Sequence, residues 1–149
     1  DDGKVGFDVV EVRGDQVHLV CTEAGRLSDN KGINLPSAAV NVPALSEKDA
    51  DDLRWALRQG VDMVALSFVR SAADYEDVAA IMREEGVTIP VIAKIEKPEA
   101  LRNIDEIIKV SNAIMIARGD LGVEMPLEQV PVLQKLIVRA CRKRGKPSS

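Results

Sequence analysis

The sequence predicts an α/β fold: part of a parallel (β/α) barrel over residues 42–149, behind an incomplete antiparallel β unit over residues 1–41. Two observations predict it. From Pro43 onward, short apolar runs that end abruptly in charge alternate with stretches of helical period. Such runs, bounded by turn signals, read as buried parallel strands, and their alternation with helices implies right-handed crossovers. Before that point the period is two and nothing reads as a helix. A third observation concerns position. Lys94-Ile-Glu96 and Arg118-Gly-Asp120 each close an apolar run, and the C-terminal strand ends of such barrels carry chemistry.

In order, Val5 to Val9 and Val17 to Cys21 alternate as strands, with Arg13-Gly14-Asp15 as the hairpin turn. His18, the single histidine, falls on the strand face opposite Val17 and Leu19 and reads as solvent-facing. Val40 to Pro43 marks the change of period. Ser46 then stands as N-cap with Asp49 three residues on, and Leu45 is placed for a staple on Ala50. Leu53, Ala56 and Leu57 continue that helix until Gly60 stops it. The strand Val61–Val69 follows. Ser71 caps a second helix carrying Tyr75, Val78 and Met82, ending at Gly86. Thr88–Glu96 is the next strand. Pro98 opens a third helix with Leu101, Ile104 and Ile108 on one face. Ala113–Arg118 is the third strand, and Pro126 opens a last helix with Val130, Leu133, Ile137 and Cys141 inward, ending at Gly145. A fourth strand is expected after Lys146-Pro147, where only Ser148-Ser149 stand. The pattern is that of a segment of a larger fold.

The 149 residues suffice for a domain with a real core, and 46% hydrophobic with 30% charged residues is ordinary for a globular protein. No run reaches membrane-spanning length, and the reading expects no signal peptide and no membrane association. A net charge of −4 argues against nucleic acid as a partner. The basic cluster Arg139 to Lys146 reads as a helix C-terminus favoured by the dipole. Cys21 and Cys141 lie in segments of different type, so neither a disulfide scaffold nor a zinc site is expected, and a reducing cytoplasm fits.

Two apart on a strand, Lys94 and Glu96 point to the same side, and Asp120 should stand on the same rim. Glu96 and Asp120 suit a Mg²⁺ ion that keeps waters and substrate oxygens. They equally suit ion pairs with Lys94 and Arg118, and the strand-end position favours metal. Lys94 follows four apolar residues, and its compact charge suits an enolate or a transferring phosphoryl group. Gly119 and Gly122 read as allowing close backbone approach to a ligand, and peptide N–H groups before the Pro126 helix as able to receive an anion. Ser67 and Phe68 close the first strand, where Phe68 reads first as core. Lys31 reads as a solvated hinge lysine. No phosphate-binding loop or dinucleotide fingerprint is present.

With these residues laid out, the chain closely resembles the pyruvate kinase family. The matching stretches are Asn30-Lys-Gly-Ile-Asn-Leu-Pro36, Leu45-Ser-Glu-Lys-Asp49, Gly60-Val-Asp-Met-Val-Ala-Leu-Ser-Phe-Val-Arg70, Ile92-Ala-Lys-Ile-Glu96 and Ile114-Met-Ile-Ala-Arg-Gly-Asp-Leu-Gly-Val-Glu124. The resemblance implies a partial (β/α)8 TIM barrel with the second half of a β lid. It implies phosphoryl transfer from phosphoenolpyruvate to ADP, giving pyruvate and ATP, with Mg²⁺ or Mn²⁺ and K⁺, in a cytoplasmic homotetramer. Lys94 matches the lysine that stabilises the transition state, and Glu96 and Asp120 match the metal ligands. Ala117, Arg118 and Gly119 match the segment that receives the substrate carboxylate. Ser67 and Phe68 match pocket residues, and Lys31 matches a nucleotide-binding lysine.

The family pattern also includes barrel strands with a substrate arginine and the K⁺ ligands, a later catalytic-site threonine and a C-terminal regulatory domain. None of these is matched here. Ser37 replaces a usual glycine, and Lys97-Pro98 an Asn-containing pair. The expectation is therefore an isolated chain without activity, marginally folded or associating. The competing readings are a Mg²⁺-dependent lyase or aldolase of the pyruvate-binding barrels and an inert fragment. Lys94 and the Lys31 hinge weigh against the lyase.

Overall fold

The structure, a computed structural model, describes residues 3–36 and 43–149. The expected boundary at residues 41/42, the change of period from Val40 and the Ser37 substitution lie outside the described residues. The chain divides into two units, Asp1–Ala38 and Ala39–Ser149.

The first unit is a hairpin of β1 (Gly6–Arg13) and β2 (Gln16–Glu23), antiparallel as its alternation predicts. The turn falls at Gly14, whose φ of +61° suits a residue without a side chain. Val10 is an extra residue between Val9, paired with Leu19, and Glu11, paired with His18. That bulge shifts the alternation, so that Phe7, Val9 and Val12 lie opposite Cys21, Leu19 and Val17 on one apolar face. Without it Glu11 and Arg13 would fall on that face. His18 is exposed on the other one.

In the second unit β3 (Val64–Leu66), β4 (Val91–Ile95) and β5 (Ala113–Ile116) form one parallel sheet in that order. Helices α1 (Glu47–Arg58), α2 (Ala72–Glu84), α3 (Glu99–Arg102), α4 (Ile104–Val110), α5 (Arg118–Glu124) and α6 (Val130–Lys143) occupy the connections. Ser46 and Ser71 cap α1 and α2, with Asp49 and Asp74 returning bonds to the cap backbone, as their spacing predicts. Gly60, Gly86 and Gly145 follow helix ends with positive φ. The core is built on Ile95, Ile107, Ile108, Ile114 and Leu121, each under 2% exposed. Along β4 the residues Val91, Ala93 and Ile95 are buried, while Ile92 and Lys94 alternate onto a less covered face. Among the described residues no helix is long and apolar enough to cross a membrane.

Several expectations are corrected. β3 spans Val64–Leu66 and not Val61–Val69, and its C-terminal end is cut short where the backbone turns left-handed at Phe68, with φ of +56°. β4 starts after Pro90, which has no N–H for the ladder. β5 ends at Ile116, not Arg118, and the chain turns directly into α5. Two glycines in seven residues hide that helix from propensity, and it forms by burying Leu121. The third helix breaks into α3 and α4 at Asn103, whose side-chain amide donates to the Arg70 carbonyl at 2.9 Å. Pro126 opens a 3₁₀ turn, Leu127–Gln129, ahead of α6. Ser148 and Ser149 are not a blank where a strand is expected. Ser148 bridges Ile114 in parallel, and the Ile116 N–H donates to the Ser149 carbonyl at 2.9 Å.

Candidate active site

The three strands are in register at their C-terminal ends: Leu66 pairs with Ala93, and Ile95 with Ile116. The residues that follow therefore meet at one rim. Lys94 projects beside Met115 on the less covered sheet face. Its Nζ lies 2.5 Å from Glu96 Oε1 and donates to Ser67 Oγ at 3.0 Å. The Phe68 backbone N–H donates to Glu96 Oε2 at 2.7 Å. Ser67 and Phe68, one turn, thus hold Lys94 and Glu96, the end of the next strand. Phe68 makes this contact through its backbone, and its ring is exposed, not core.

The Glu96 side chain is only 3% exposed and that of Lys94 24%. A carboxylate so buried needs a cation and donors, and it has both. Of the ion pairs weighed against a metal site, the one between Lys94 and Glu96 is present. The alternative pairing of Asp120 is not, since among the described residues no cation bonds to it. Asp120 lies exposed in the first turn of α5 with Arg118 and Gly119. Lys94, Ala117, Arg118, Gly119 and Asp120 line one open groove of about 600 Å³. Ser67 and Phe68 line another, about 500 Å³, between α1 and β3. Lys31 belongs to the first unit and is exposed there.

A Cβ on Gly119 would meet open space, whereas one on Gly122 would lie 2.6 Å from Leu127 Cδ2. Leu127 is an exposed side chain of the groove lining, so a side chain at Gly122 would push it aside. No side chain caps the start of α5, which leaves its first N–H groups to solvent or a ligand. These uncapped N–H groups lie before the Pro126 segment, and the groove lining continues into that segment at Leu127.

The donor set can be weighed against a divalent cation. Among the described residues no group of three or more His, Cys, Asp or Glu side chains converges, so no full protein cage exists. Glu96 accepts two bonds of the roughly four that a carboxylate can take. Glu96 and Asp120 are oxygen donors of the kind that Mg²⁺ or Mn²⁺ takes together with water and substrate oxygens; Asp120 lines the groove and Glu96 does not.

One pair escaped the sequence reading. Lys97 Nζ donates to Glu124 Oε1, joining the residue after Glu96 to the last residue of α5. The partners are 27 positions apart, beyond any helix or strand spacing rule, so only their opposite charges could have hinted at it.

The family profile described as "Pyruvate kinase, barrel domain" matches residues 1–148. The chain is 57% identical over 147 residues to the pyruvate kinase of Corynebacterium efficiens and 56% identical to that of Mycobacterium tuberculosis, covering 99% of this chain and 31% of each relative. To the pyruvate kinase of Staphylococcus epidermidis it is 45% identical over 149 residues, 99% of this chain and 26% of the relative. The chain thus spans about a third of the length of the relatives it matches, and on a match that runs nearly end to end it belongs to the pyruvate kinase family.

Proposed function

We propose that this chain carries the phosphoryl-transfer centre of a pyruvate kinase: the phosphoryl group of phosphoenolpyruvate passes to ADP, giving pyruvate and ATP in glycolysis. The carrying observation is Lys94, held between Ser67 and the buried Glu96 at a strand end, on one groove wall with Ala117 to Asp120. In this reading the sheet is part of a (β/α)8 barrel and the hairpin part of a lid.

Lys94 is the catalytic cation. As the bond from phosphorus to the enol oxygen breaks and a terminal ADP oxygen takes its place, negative charge grows on the departing enol oxygen. A fixed, partly desolvated ammonium stabilises that charge without reorganising. Ser67 and Glu96 set where Lys94 points. The Ala117 N–H is held by the Ile95 carbonyl, so the Arg118 and Gly119 N–H groups of that segment, with the Arg118 side chain beside them, receive the substrate carboxylate, and the open space at Gly119 admits it. Phe68 borders the substrate, and Lys31 reaches the nucleotide. The enolate then takes a proton at carbon to become pyruvate. Glu96 and Asp120 would hold Mg²⁺ or Mn²⁺, which when bound supplies positive charge to the phosphoryl and enolate oxygens. K⁺ is assigned to none of this chain's residues. A cytoplasmic homotetramer is proposed for the whole protein.

The test is a coupled assay on the full-length protein. Pyruvate formation from phosphoenolpyruvate and ADP, dependent on a divalent cation, supports the reading. Cleavage of a carbon–carbon bond in a 2-oxo acid, with no transfer to ADP, would replace it with a lyase.

A further inference from the structure

Among the described ion pairs, two involve carboxylates buried almost completely: Glu96 on Lys94, at 3% exposure, and Glu124 on Lys97, at 4%. The first belongs to the proposed catalytic centre. The second joins the two halves of that centre. Lys97 directly follows Glu96, and Glu124 ends the helix whose first turn carries Asp120.

Glu124 is badly placed for the helix alone. A carboxylate in the last turn faces the negative end of the helix dipole, and α5 has no basic residue in that turn. Burial adds a desolvation cost that only a well-placed cation offsets. Lys97, 26% exposed, supplies that cation from the segment after β4. The start of α5 has no side-chain cap. The placement of this seven-residue helix thus rests on buried Leu121 and on what grips Glu124.

We infer that Lys97 is a positioning residue: its ion pair with Glu124 sets the separation of Glu96 from Asp120, and so the affinity of the two carboxylates for a divalent cation. The inference rests on the proposed function only in taking those carboxylates as the cation's ligands. Its sign is diagnostic. Removing a lysine charge near a cation site should tighten cation binding by simple electrostatics. Loss of positioning should loosen it.

The experiment measures Mn²⁺ binding to the full-length protein without substrate, by electron paramagnetic resonance, with a parallel assay of kcat and of the half-saturating Mn²⁺ concentration. Lys97→Met should weaken Mn²⁺ binding about tenfold or more, the usual effect of losing a group that orients a metal ligand. Lys97→Arg, which keeps the pair, should stay near the unsubstituted value. Lys97→Gln, which also loses the charge but stays polar, should weaken binding as Lys97→Met does and serves if the latter fails to fold. Unchanged or tighter Mn²⁺ binding in folded Lys97→Met overturns the inference and leaves the phosphotransferase reading standing. An unsubstituted protein that neither binds Mn²⁺ nor transfers phosphoryl overturns both.

Discussion

The Phe68 backbone N–H reaches Glu96 Oε2 at 2.7 Å only because Phe68 adopts a φ of +56°. That region is uncommon for a residue with a side chain and costs on the order of 1–2 kcal/mol. The surrounding structure sustains it, and the contact satisfies a carboxylate oxygen that is shut off from water. Phe68→Pro would force φ to about −65° and remove the donor, so it should cost roughly 3 kcal/mol or more. Phe68→Gly keeps the N–H and accepts the backbone, so its stability should stay within about 1 kcal/mol of the original. Urea unfolding of both variants decides it. A Phe68→Pro protein as stable as Phe68→Gly would show that the turn does not hold Glu96.

Lys94 and Glu96 should separate kinetically. Lys94→Met removes the charge aimed at the reacting group and should lower kcat about a hundredfold or more, with substrate affinity retained. Glu96→Gln keeps the shape and an acceptor for the Phe68 N–H but loses the anionic ligand. It should raise the half-saturating Mg²⁺ concentration about tenfold or more. Steady-state titrations of substrate and Mg²⁺ read both. Unchanged turnover in Lys94→Met would remove its catalytic role.

Much of this was legible in the residues, for physical reasons. Ser46 with Asp49 and Ser71 with Asp74 announce helix starts, because the capping geometry is local and needs those residue types at that spacing. Strand periodicity placed Lys94 and Glu96 together because alternation has period two. What stayed hidden depends on distant contacts. The break at Asn103 answers to the Arg70 carbonyl, and α5 forms around Leu121 despite its glycines. The Val10 bulge depends on the partner strand, so alternation within β1 alone cannot show it.

The Asn103 bond ties the break between α3 and α4 to the loop after β3, since the Arg70 carbonyl accepts from it at 2.9 Å. Asn103→Ala should lower stability by about 1 kcal/mol, the net worth of one such bond. Arg102→Ala, at the exposed neighbour, should change it by less than about 0.5 kcal/mol. Denaturant midpoints at unchanged slope measure both. Equal effects would mean that the Asn103 amide contributes nothing beyond its surface.

The last prediction concerns acid. Arg58, the final residue of α1, donates from Nε to Glu85 Oε2 at 2.8 Å and from Nη2 to Oε1 at 2.6 Å, a fork that ties the ends of α1 and α2. These bonds, helped by the charge of Arg58 and then Arg54, hold the Glu85 carboxyl below its ordinary value of 4.5. A carboxyl depressed in the folded state releases its proton more readily there than in the unfolded chain. Its stabilisation is therefore complete above the unfolded value and is lost as pH falls through the folded one. Glu85→Gln should be less stable than the original at neutral pH. The gap should narrow below about pH 4, where an ordinary glutamate begins to bind its proton, and close at lower pH. The other carboxylates titrate alike in both proteins, so they cancel in the difference. Urea unfolding of the pair between neutral and strongly acidic pH measures that difference directly. A gap that does not change with pH would mean that Glu85 contributes through packing and not through its charge on Arg58.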